Sequence, residues 1–594
     1  MARHGMLPSQ TLPPIAGWFA SGFLAVLCAW TGLISSEAAF AQRVQVPASV
    51  QDESETPPSI QSALEGMEPD VDGWDGEVWN KALKTPMRVL SESVFLGENL
   101  NAQQLEALIL PAARGLWLEA APKGWLIGPG PWWFHSARAL PGKSLDLPMA
   151  EGFQILREEL GGPATRFEWH VESLELKEGN RVETQMHLIL LREHATMAVG
   201  LHGFWRAVWE RDDQGVVRLA TFRELERDAS ALKGVTEGTR LAGFVDRSAS
   251  LFGGDLYRTQ LYPGIDYWRE RLHTKLGVGL LGHQGLAVGD LNGDGLEDVY
   301  VCEPGGLPNR LFLHQPDGGT KEAAKAAGLD LLDFTSSALI LDFDGDGDRD
   351  LMAATSSGLY GFANDGKGGF LKSFEYLGTD LTSMAAADFD NDGDLDVYAC
   401  RYSSPYVSTG LPFPYHDAEN GASNWLLLNN GEWDFVESAQ QVGLGTGRNR
   451  FSFSASFEDY DNDGDQDLYV ANDFGRNALY RNDDGHFESV ARELGVEDLA
   501  AGMGVTWSDL NGDGYMDLYV SNMGSNAGQR ITHAEGFLPK AAEQTRVNFQ
   551  GHARGSSVYL SQEGKAFEDR TLGSGARRTG WAWGGLAMDL DCDG

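Results

Sequence analysis

The sequence predicts a mostly β protein in which a β-propeller follows a smaller α+β domain. A nine-residue acidic loop recurs six times in the second half of the chain. Apolar and polar residues alternate on both sides of the loop, which is typical of strands that enter and leave a turn. The first aspartates of successive copies are 52, 46, 71, 50 and 80 residues apart. A unit of about 50 residues with four short strands has the size of a propeller blade.

Residues 1–41 have the pattern of a secretory signal peptide. Arg3 precedes an uncharged apolar run from Ile15 to Ile34, and Ala39-Phe40-Ala41 supplies a small-x-small cleavage pattern. We therefore expect export. The alternative is an uncleaved anchor, because about 20 apolar residues can span a bilayer. Residues 42–70 are rich in Pro, Ser, Glu and Gln, and they predict a flexible linker.

Residues 71–245 are predicted to form the α+β domain. Asn101 to Gln104 is similar to a capping box and predicts a helix that ends at Pro111. Alternating residues then predict an antiparallel meander of four strands, within 167–171, 182–190, 197–209 and 216–222. This order of elements is similar to that of the nuclear transport factor 2 cone, an analogy of element order alone.

Composition limits the possible partners. The chain of 594 residues has 86 acidic and 46 basic residues, a formal charge of −40. That charge argues against nucleic acid or an anionic membrane as a partner. After the signal only three cysteines remain, too few for a disulfide scaffold. Cys302 and Cys400 lie at the same place in their repeats, and we interpret that place as a small buried position.

The recurring loop has the residue types of a site for a hard cation. Oxygen-bearing side chains stand at positions 1, 3, 5 and 9 and a glycine stands at position 6, a pattern that suits calcium. Clustered carboxylates repel one another without a counter-ion. The predicted side-chain ligands of loops 1 to 6 are Asp290, Asn292, Asp294 and Asp298; Asp342, Asp344, Asp346 and Asp350; Asp388, Asp390, Asp392 and Asp396; Asp459, Asp461, Asp463 and Asp467; Asp509, Asn511, Asp513 and Asp517; and Asp589, Asp591 and Asp593.

Two other interpretations of the loops are possible. An EF-hand would have glutamate at position 12 and flanking helices, whereas position 12 here is apolar and lies in a predicted strand, as at Val301 and Val470. The loops could also be ordinary acidic turns, since Asp, Asn and Gly favour turns. The shared register of six copies favours the cation site.

The repeats resemble the FG-GAP/VCBS repeats of integrin α-like propellers, and more closely secreted proteins of the cartilage-acidic-protein (ASPIC/UnbV-like) type. The resemblance covers residues 285–594. It implies a calcium-loop β-propeller in which the main-chain carbonyl of position 7 is a further ligand, from Leu296, Asp348, Asp394, Asp465 and Tyr515. Asn292 and Asn511 lower the loop charge, so we expect weaker sites there. The family's usual ring has seven blades. Residues 251–594 show five repeats and the start of a sixth, so we expect a truncated gene product or fragment.

Two long insertions are the candidate ligand-binding surface. Tyr402 to Ser423 and Met523 to Ser556 fall between the second and third strands of their repeats, so they should leave the face opposite the calcium loops. The alternative is loop padding without function. The candidate ligand-binding residues are Tyr406, Tyr415, His416, Asp417, Arg530, His533, His552 and Arg554.

These features support two functional hypotheses. The first is a secreted, periplasmic or cell-surface adhesion module, stabilised by calcium, that binds an extracellular protein or glycan. The second is an extracytoplasmic hydrolase or lyase that acts on polysaccharide with the face opposite the calcium loops. No GxSxG, HExxH or Walker loop occurs, and we assign no catalytic residue. The first hypothesis is favoured.

Overall fold

The computed structural model divides the chain into two compact units, which are described separately below. The first is Met1–Phe244 with Asn526–Ala541, and the second is Val245–Ser525 with Ala542–Gly594. The structure describes residues 75–96, 102–118, 132–138, 144–194, 197–233, 247–263, 267–268, 271, 284–403, 411–534, 536–572, 574, 576–577 and 579–588. The predicted signal peptide and linker, and the ligands of loop 6, lie outside these residues.

A seven-stranded sheet organises the first unit. Its order is β3-β1-β7-β6-β5-β4, with β2 also paired to β7. Strands β4 to β7 form the antiparallel meander that the alternating residues predict, and β1 runs parallel to β7. The predicted domain boundaries and the analogy to the transport-factor cone stay predictions. The strands are β1 Ile109–Leu118, β2 Trp132–Arg138, β3 Ser144–Pro148, β4 Arg166–Lys177, β5 Arg181–His194, β6 Met197–Arg211 and β7 Val217–Lys233.

The described helices that precede or separate the strands of this sheet in the chain are α1 Asp75–Leu90, which continues as a π-helix over Ser91–Leu96, α2 Ala102–Leu108 and α3 Met149–Leu160. The prediction that α2 continues to Pro111 is wrong, because β1 begins at Ile109 and pairs with β7. Pro111 lies where the register of that pairing shifts, between Ile109 and Arg114. A missing N–H group disturbs a strand ladder least at such an irregularity.

Within the described residues, five four-stranded antiparallel sheets form the second unit, and each uses consecutive strands in chain order. They are blades 1 to 5. Blade 1 is β8 Leu286–Gly289, β9 Asp298–Val301, β10 Arg310–His314 and β11 Thr320–Glu322; blade 2 is β12 Thr335–Leu341, β13 Asp350–Thr355, β14 Gly358–Asn364 and β15 Phe370–Leu377; blade 3 is β16 Leu381–Ala387, β17 Asp396–Arg401, β18 Trp425–Asn429 and β19 Phe435–Glu437; blade 4 is β20 Ser452–Glu458, β21 Asp467–Asn472, β22 Ala478–Asp483 and β23 His486–Ser489; blade 5 is β24 Gly502–Ser508, β25 Asp517–Asn522, β26 Ser557–Ser561 and β27 Phe567–Asp569.

Consecutive blades pack against each other as in a β-propeller. The first strand of each blade contacts the first strand of the next, from β8 through to β24. Apolar clusters fill the space between blades: Tyr398 and Leu426 of blade 3, for example, share a buried cluster with Leu468 and Val470 of blade 4. The predicted β-propeller with a repeating four-strand unit is confirmed. A seven-bladed ring stays a prediction.

The insertions lie where the sequence places them, between the second and third strands of blades 3 and 5. The second insertion contains α6 Asn526–His533, which belongs to the first unit, and α7 Glu543–His552, which belongs to the second. Within the first unit, Arg530 of α6 forms an ion pair of 2.8 Å with Glu77 of α1 and donates a hydrogen bond to the Val171 carbonyl.

The remaining helical segments are short. They are α4 Ser248–Leu251, a π-helix over Tyr257–Leu261, and α5 Ala324–Ala327. Among the described residues, no helix is both long enough and apolar enough to cross a membrane. Cys302 and Cys400 are free thiols and buried, as predicted.

Candidate metal centres

Each of loops 1 to 5 connects the first and second strands of its blade, and position 9 is always the first residue of the second strand. The chain turns sharply because two positions have left-handed backbone. In loop 4 these are position 4, Asn462 with φ of 60°, and position 6, Gly464 with φ of 100°. Position 6 is part of the predicted pattern, whereas position 4 was missed. A signal was available in loops 1 to 5, where position 4 is glycine or asparagine, the residues that tolerate this conformation.

The carboxylate at position 1 holds the turn together. In loop 4, Asp459 accepts hydrogen bonds of 3.0 Å from the backbone N–H groups of both Asp463 and Gly464. The first aspartate of every described loop accepts such bonds from its own loop. Position 1 is therefore oriented by the backbone before any metal binds.

The carboxylate at position 9 is buried and joins the loop to the third strand. Asp467 accepts the N–H of Tyr460, at position 2, at 3.2 Å and the N–H of Asn482, in β22, at 2.8 Å. Position 9 makes the equivalent pair of bonds in all five described loops. We call this pair of hydrogen bonds to position 9 the clamp. The clamp fixes the loop whether position 3 is an aspartate or an asparagine.

Burial makes the clamp carboxylates reluctant to ionise. Desolvation, with a smaller contribution from neighbouring aspartates, raises the pKa of Asp350 to about 6, of Asp396 to about 7 and of Asp467 to about 8. The same cause raises the pKa of Asp298 and Asp517. A cation beside these groups would favour their charged form.

Positions 1, 3 and 9 converge in blades 2, 3 and 4. In each of these blades the three aspartates bring one carboxylate oxygen apiece within 4.8 Å of the others. We call these groups the aspartate triads: Asp342, Asp344 and Asp350; Asp388, Asp390 and Asp396; and Asp459, Asp461 and Asp467.

Two of the triads contain an unsatisfied oxygen. Oδ1 of Asp390 and Oδ1 of Asp461 are buried and have no hydrogen-bond partner within the part of the chain that the structure describes. A buried carboxylate oxygen without a partner is costly. An all-oxygen site with unsatisfied oxygens fits calcium, so the residues present suit the ion that the loop pattern predicts.

Position 5 behaves differently from the triad positions. Asp392 accepts the backbone N–H of Asp394, at position 7, at 2.9 Å, and Asp463 accepts that of Asp465 at 3.0 Å. Here this side chain holds the second half of the turn. The predicted metal roles of positions 5 and 7 stay predictions.

Loops 1 and 5 have the same backbone but a different third position. The side-chain oxygen of Asn292 accepts the N–H of Asp294 at 3.0 Å, and that of Asn511 accepts the N–H of Asp513 at 2.9 Å. Asparagine supplies the oxygen without the charge. These loops therefore lack a third carboxylate at the point where the triads converge.

The candidate residues on the two insertions are placed in both units. Arg530 and His533 belong to the first unit, and Tyr415, His416, Asp417, His552 and Arg554 to the second. Tyr406 lies outside the described residues.

Several of these candidates take part in internal contacts. Asp417 accepts hydrogen bonds from Arg450 at 2.8 Å and Arg476 at 2.9 Å, and Arg554 pairs with buried Asp498. Burial lowers the pKa of His552 to about 4. Sequence reasoning could not see these partners, because they come from distant parts of the chain. The role of this surface in ligand binding stays a prediction.

A family model of the FG-GAP-like repeat matches three parts of the chain. Its matches cover residues 290–353, 342–399 and 459–520, and together these include loops 1 to 5. The second half of the chain therefore contains three FG-GAP-like repeats. A comparison with curated protein sequences finds no match.

Solved structures with a detectable likeness share little sequence with the chain. A conserved protein from Planctomyces limnophilus is 15% identical, covers 25% of this chain and 97% of its own, and has a TM-score of 0.18. An Agrocybe aegerita lectin described as recognising non-reducing terminal N-acetylglucosamine is 14% identical, with coverage of 70% and 81% and a TM-score of 0.31. A Lactobacillus plantarum protein is 9% identical, with coverage of 67% and 83% and a TM-score of 0.27.

Proposed function

We propose that the chain is a calcium-stabilised β-propeller that works as an extracytoplasmic binding module. The observation that carries this proposal is the convergence of three carboxylates within 4.8 Å in each of blades 2, 3 and 4. Three such groups in the same structural position are hard to reconcile with ordinary surface turns, because each concentrates like charge. The FG-GAP-like repeats support the same conclusion.

Calcium would supply the positive charge that the triads lack. Positions 1, 3 and 9 would hold it, with position 1 oriented by the turn and position 9 by the clamp to the third strand. Because the unfolded chain has no such site, binding energy becomes folding energy. We expect dissociation constants of about 10⁻⁴ to 10⁻³ M, the range of extracellular calcium modules.

The finer assignments are part of the same proposal. They are a seven-bladed ring, an α+β domain before it, and membership of the cartilage-acidic-protein (ASPIC/UnbV-like) group. Secretion, or retention in the periplasm or at the cell surface, is supported by the signal-like sequence of residues 1–41.

The partner that we propose is an extracellular protein or glycan. The insertion of blade 3 presents exposed apolar side chains, with Phe413 76% and Leu411 44% exposed. Exposed apolar groups framed by polar ones favour recognition of a protein or of the apolar face of a sugar. The net charge of −40 makes nucleic acid an unsuitable partner.

Calorimetric titration of the purified full chain with calcium tests the metal sites. We expect at least three calcium ions to bind. A variant with Asp344→Asn, Asp390→Asn and Asp461→Asn should lose most of that binding while it keeps its β circular-dichroism spectrum. Equal binding by the variant and the original chain would contradict the proposed sites.

Binding to an immobilised panel of matrix proteins and polysaccharides tests the partner. Phe413→Ser should abolish binding to every immobilised panel member that retains the original chain. Leu371→Ser is the matched control, since Leu371 is 73% exposed on β15, outside the insertions. Turnover of a polysaccharide by the original chain would instead support the enzyme alternative.

A further inference from the structure

The three blades that carry aspartate triads have the same residue type as the last or last but one residue of the third strand. Asn364, Asn429 and Asn482 occupy this place in blades 2, 3 and 4, and all three are buried. The three asparagines are structurally equivalent, since the backbone N–H of each donates a hydrogen bond to position 9 of its own loop. The equivalent residues are His314 in blade 1 and Ser561 in blade 5.

Each of these asparagine side chains bonds to two loops at once. The amide nitrogen of Asn482 donates to the carbonyl of Gln466, position 8 of loop 4, at 3.2 Å. It also donates to the carbonyl of Phe389, position 2 of loop 3, at 2.6 Å. Position 2 lies between two ligand positions, and position 8 directly precedes the clamp. One side chain therefore connects the metal loops of neighbouring blades.

The same connection occurs twice more. Asn429 donates to Phe343 of loop 2 at 2.9 Å and to Leu395 of loop 3 at 3.2 Å. Asn364 donates to Leu291 of loop 1 at 2.9 Å and to the position-8 carbonyl of loop 2 at 2.8 Å. Loops 1, 2, 3 and 4 are thus joined in series by buried hydrogen bonds.

The asparagine oxygen reinforces this link through the following turn. Oδ1 of Asn429 accepts the N–H of Gly431 at 3.1 Å, in the turn that carries Trp433. The indole N–H of Trp433 donates to Asp344, position 3 of loop 2, at 3.0 Å. In blade 4 the same oxygen of Asn482 accepts the N–H of Gly485, where a Cβ would lie 3.2 Å from that of Asp390. The turn of one blade therefore touches position 3 of the preceding loop.

We propose that Asn364, Asn429 and Asn482 are positioning residues that couple calcium binding between consecutive blades. This rests on the proposed calcium sites. An ion that orders one loop fixes the asparagine at its clamp, and the asparagine then holds the preceding loop in its binding geometry. Such coupling is reciprocal, so each site tightens the other. Calcium should fill loops 2, 3 and 4 cooperatively.

Blade 5 shows which substitution breaks the link and leaves the blade intact. The N–H of Ser561 still donates to Asp517 at 2.7 Å, and its hydroxyl still accepts the N–H of the turn residue Gly564 at 3.1 Å. A serine lacks the amide nitrogen that reaches the preceding loop. Asn429→Ser should therefore keep the clamp and the turn of blade 3 and lose the bond to loop 2.

Terbium luminescence can follow loop 2 alone. Terbium(III) is an oxygen-seeking analogue of calcium that emits when a nearby tryptophan is excited, and Trp433 contacts the loop 2 ligand Asp344. The full chain is titrated with terbium, and the emission lost in Trp433→Phe is assigned to loop 2. Asn429→Ser should raise the half-saturation concentration of this component about fivefold and lower its Hill coefficient toward 1.

Asn430→Ser is the matched control, since Asn430 is the exposed neighbour and its side chain bonds within its own turn, to Asp434. It should leave the loop 2 component unchanged. The reverse change, Ser561→Asn, should increase the affinity of loop 4 for calcium, as measured by calorimetric titration.

An unchanged loop 2 component in folded Asn429→Ser, or no gain in Ser561→Asn, would overturn the coupling. No terbium or calcium binding by the original chain would instead overturn the proposed sites themselves.

Discussion

Blades 2 to 4 and blades 1 and 5 share one loop backbone but differ in what that backbone carries. In both groups a buried aspartate at position 9 clamps the loop to the third strand. Among the five described blades, only blades 2 to 4 combine an aspartate at position 3 with an asparagine as the last or last but one residue of the third strand. The clamp and the left-handed positions determine the backbone conformation of the loop. The third carboxylate adds a negative charge that a bound cation would neutralise.

Removal of the clamp carboxylate should have the largest effect on the free energy of unfolding. The loss should be larger in blade 4 than in blade 5. Asp467→Asn places an amide NH₂ against a backbone N–H donor, so we expect a loss of about 3 kcal/mol in the free energy of unfolding. The matched change Asp517→Asn disturbs the same clamp without a triad and should cost less. Urea unfolding in saturating calcium measures both. Equal losses of unfolding free energy in the two variants would mean that the triad contributes no stability beyond that of the clamp.

The turn that covers position 3 offers the next test. A Cβ on Gly564 would lie 2.6 Å from the Cα of Asp461, whereas one on Gly318, a glycine of the corresponding turn in blade 1, would meet nothing within 4 Å. Both glycines have positive φ, so alanine costs about 1 kcal/mol at either place from backbone strain. Gly564→Ala should cost about 2 kcal/mol more, from overpacking against loop 4. Urea unfolding that finds the two variants alike would remove the proposed contact between blade 5 and loop 4.

Exchange of the third position should convert one kind of loop into the other. Asn511→Asp gives blade 5 a third carboxylate, and we expect about tenfold tighter calcium at that site, or about 1.4 kcal/mol. Asp390→Asn should weaken the blade 3 site by a similar factor. Calorimetric titration compares the two variants with the original chain. If both bind calcium as the original does, charge at position 3 does not distinguish the two groups of blades.

A buried carboxylate outside the loops should give a distinct pH dependence. Asp473 of blade 4 accepts a hydrogen bond of 2.7 Å from Tyr402, and burial raises the pKa of Asp473 to about 7. The folded chain therefore takes up a proton there more readily than the unfolded chain, whose carboxyl has an ordinary pKa near 4. The stability from this proton is complete below pH 4 and is lost as the pH rises through 7.

Thermal unfolding between pH 5 and pH 8, in saturating calcium, measures this effect. The original chain should lose more stability over the range than Asp473→Asn does. A parallel pH dependence of the two would show that Asp473 does not titrate in this range.

The sequence predicted the blades well because their signals are local. Each loop and its flanking strands lie within about 20 residues, and the clamp aspartate is part of the repeated pattern. The third-strand asparagines were missed although they too recur. Asn482, for example, bonds to Phe389, 93 residues earlier, and no local period shows that contact. The ends of helices were also less certain, since Ile109 follows a helical pattern but pairs with β7.

The candidate ligand surface was the least predictable part of the chain. Asp417 looked available from its place in a polar insertion, yet Arg450 and Arg476 both bind it. His552 is a candidate ligand-binding residue by its place in the second insertion, yet its ring lies 5.8 Å from that of Phe474, and burial lowers its pKa. Such contacts depend on how the insertions pack against residues of blade 4, which residue types alone do not determine.

The most direct test of the account is the thermal unfolding midpoint of the full chain as calcium is returned after complete chelation. The account predicts a midpoint that rises with calcium in the original chain. It should stay nearly constant in the variant with Asp344→Asn, Asp390→Asn and Asp461→Asn, which has only loops of the blade 1 and blade 5 type among blades 1 to 5. A midpoint in the original chain that does not respond to calcium would contradict it, because the triads would then be acidic turns without a metal.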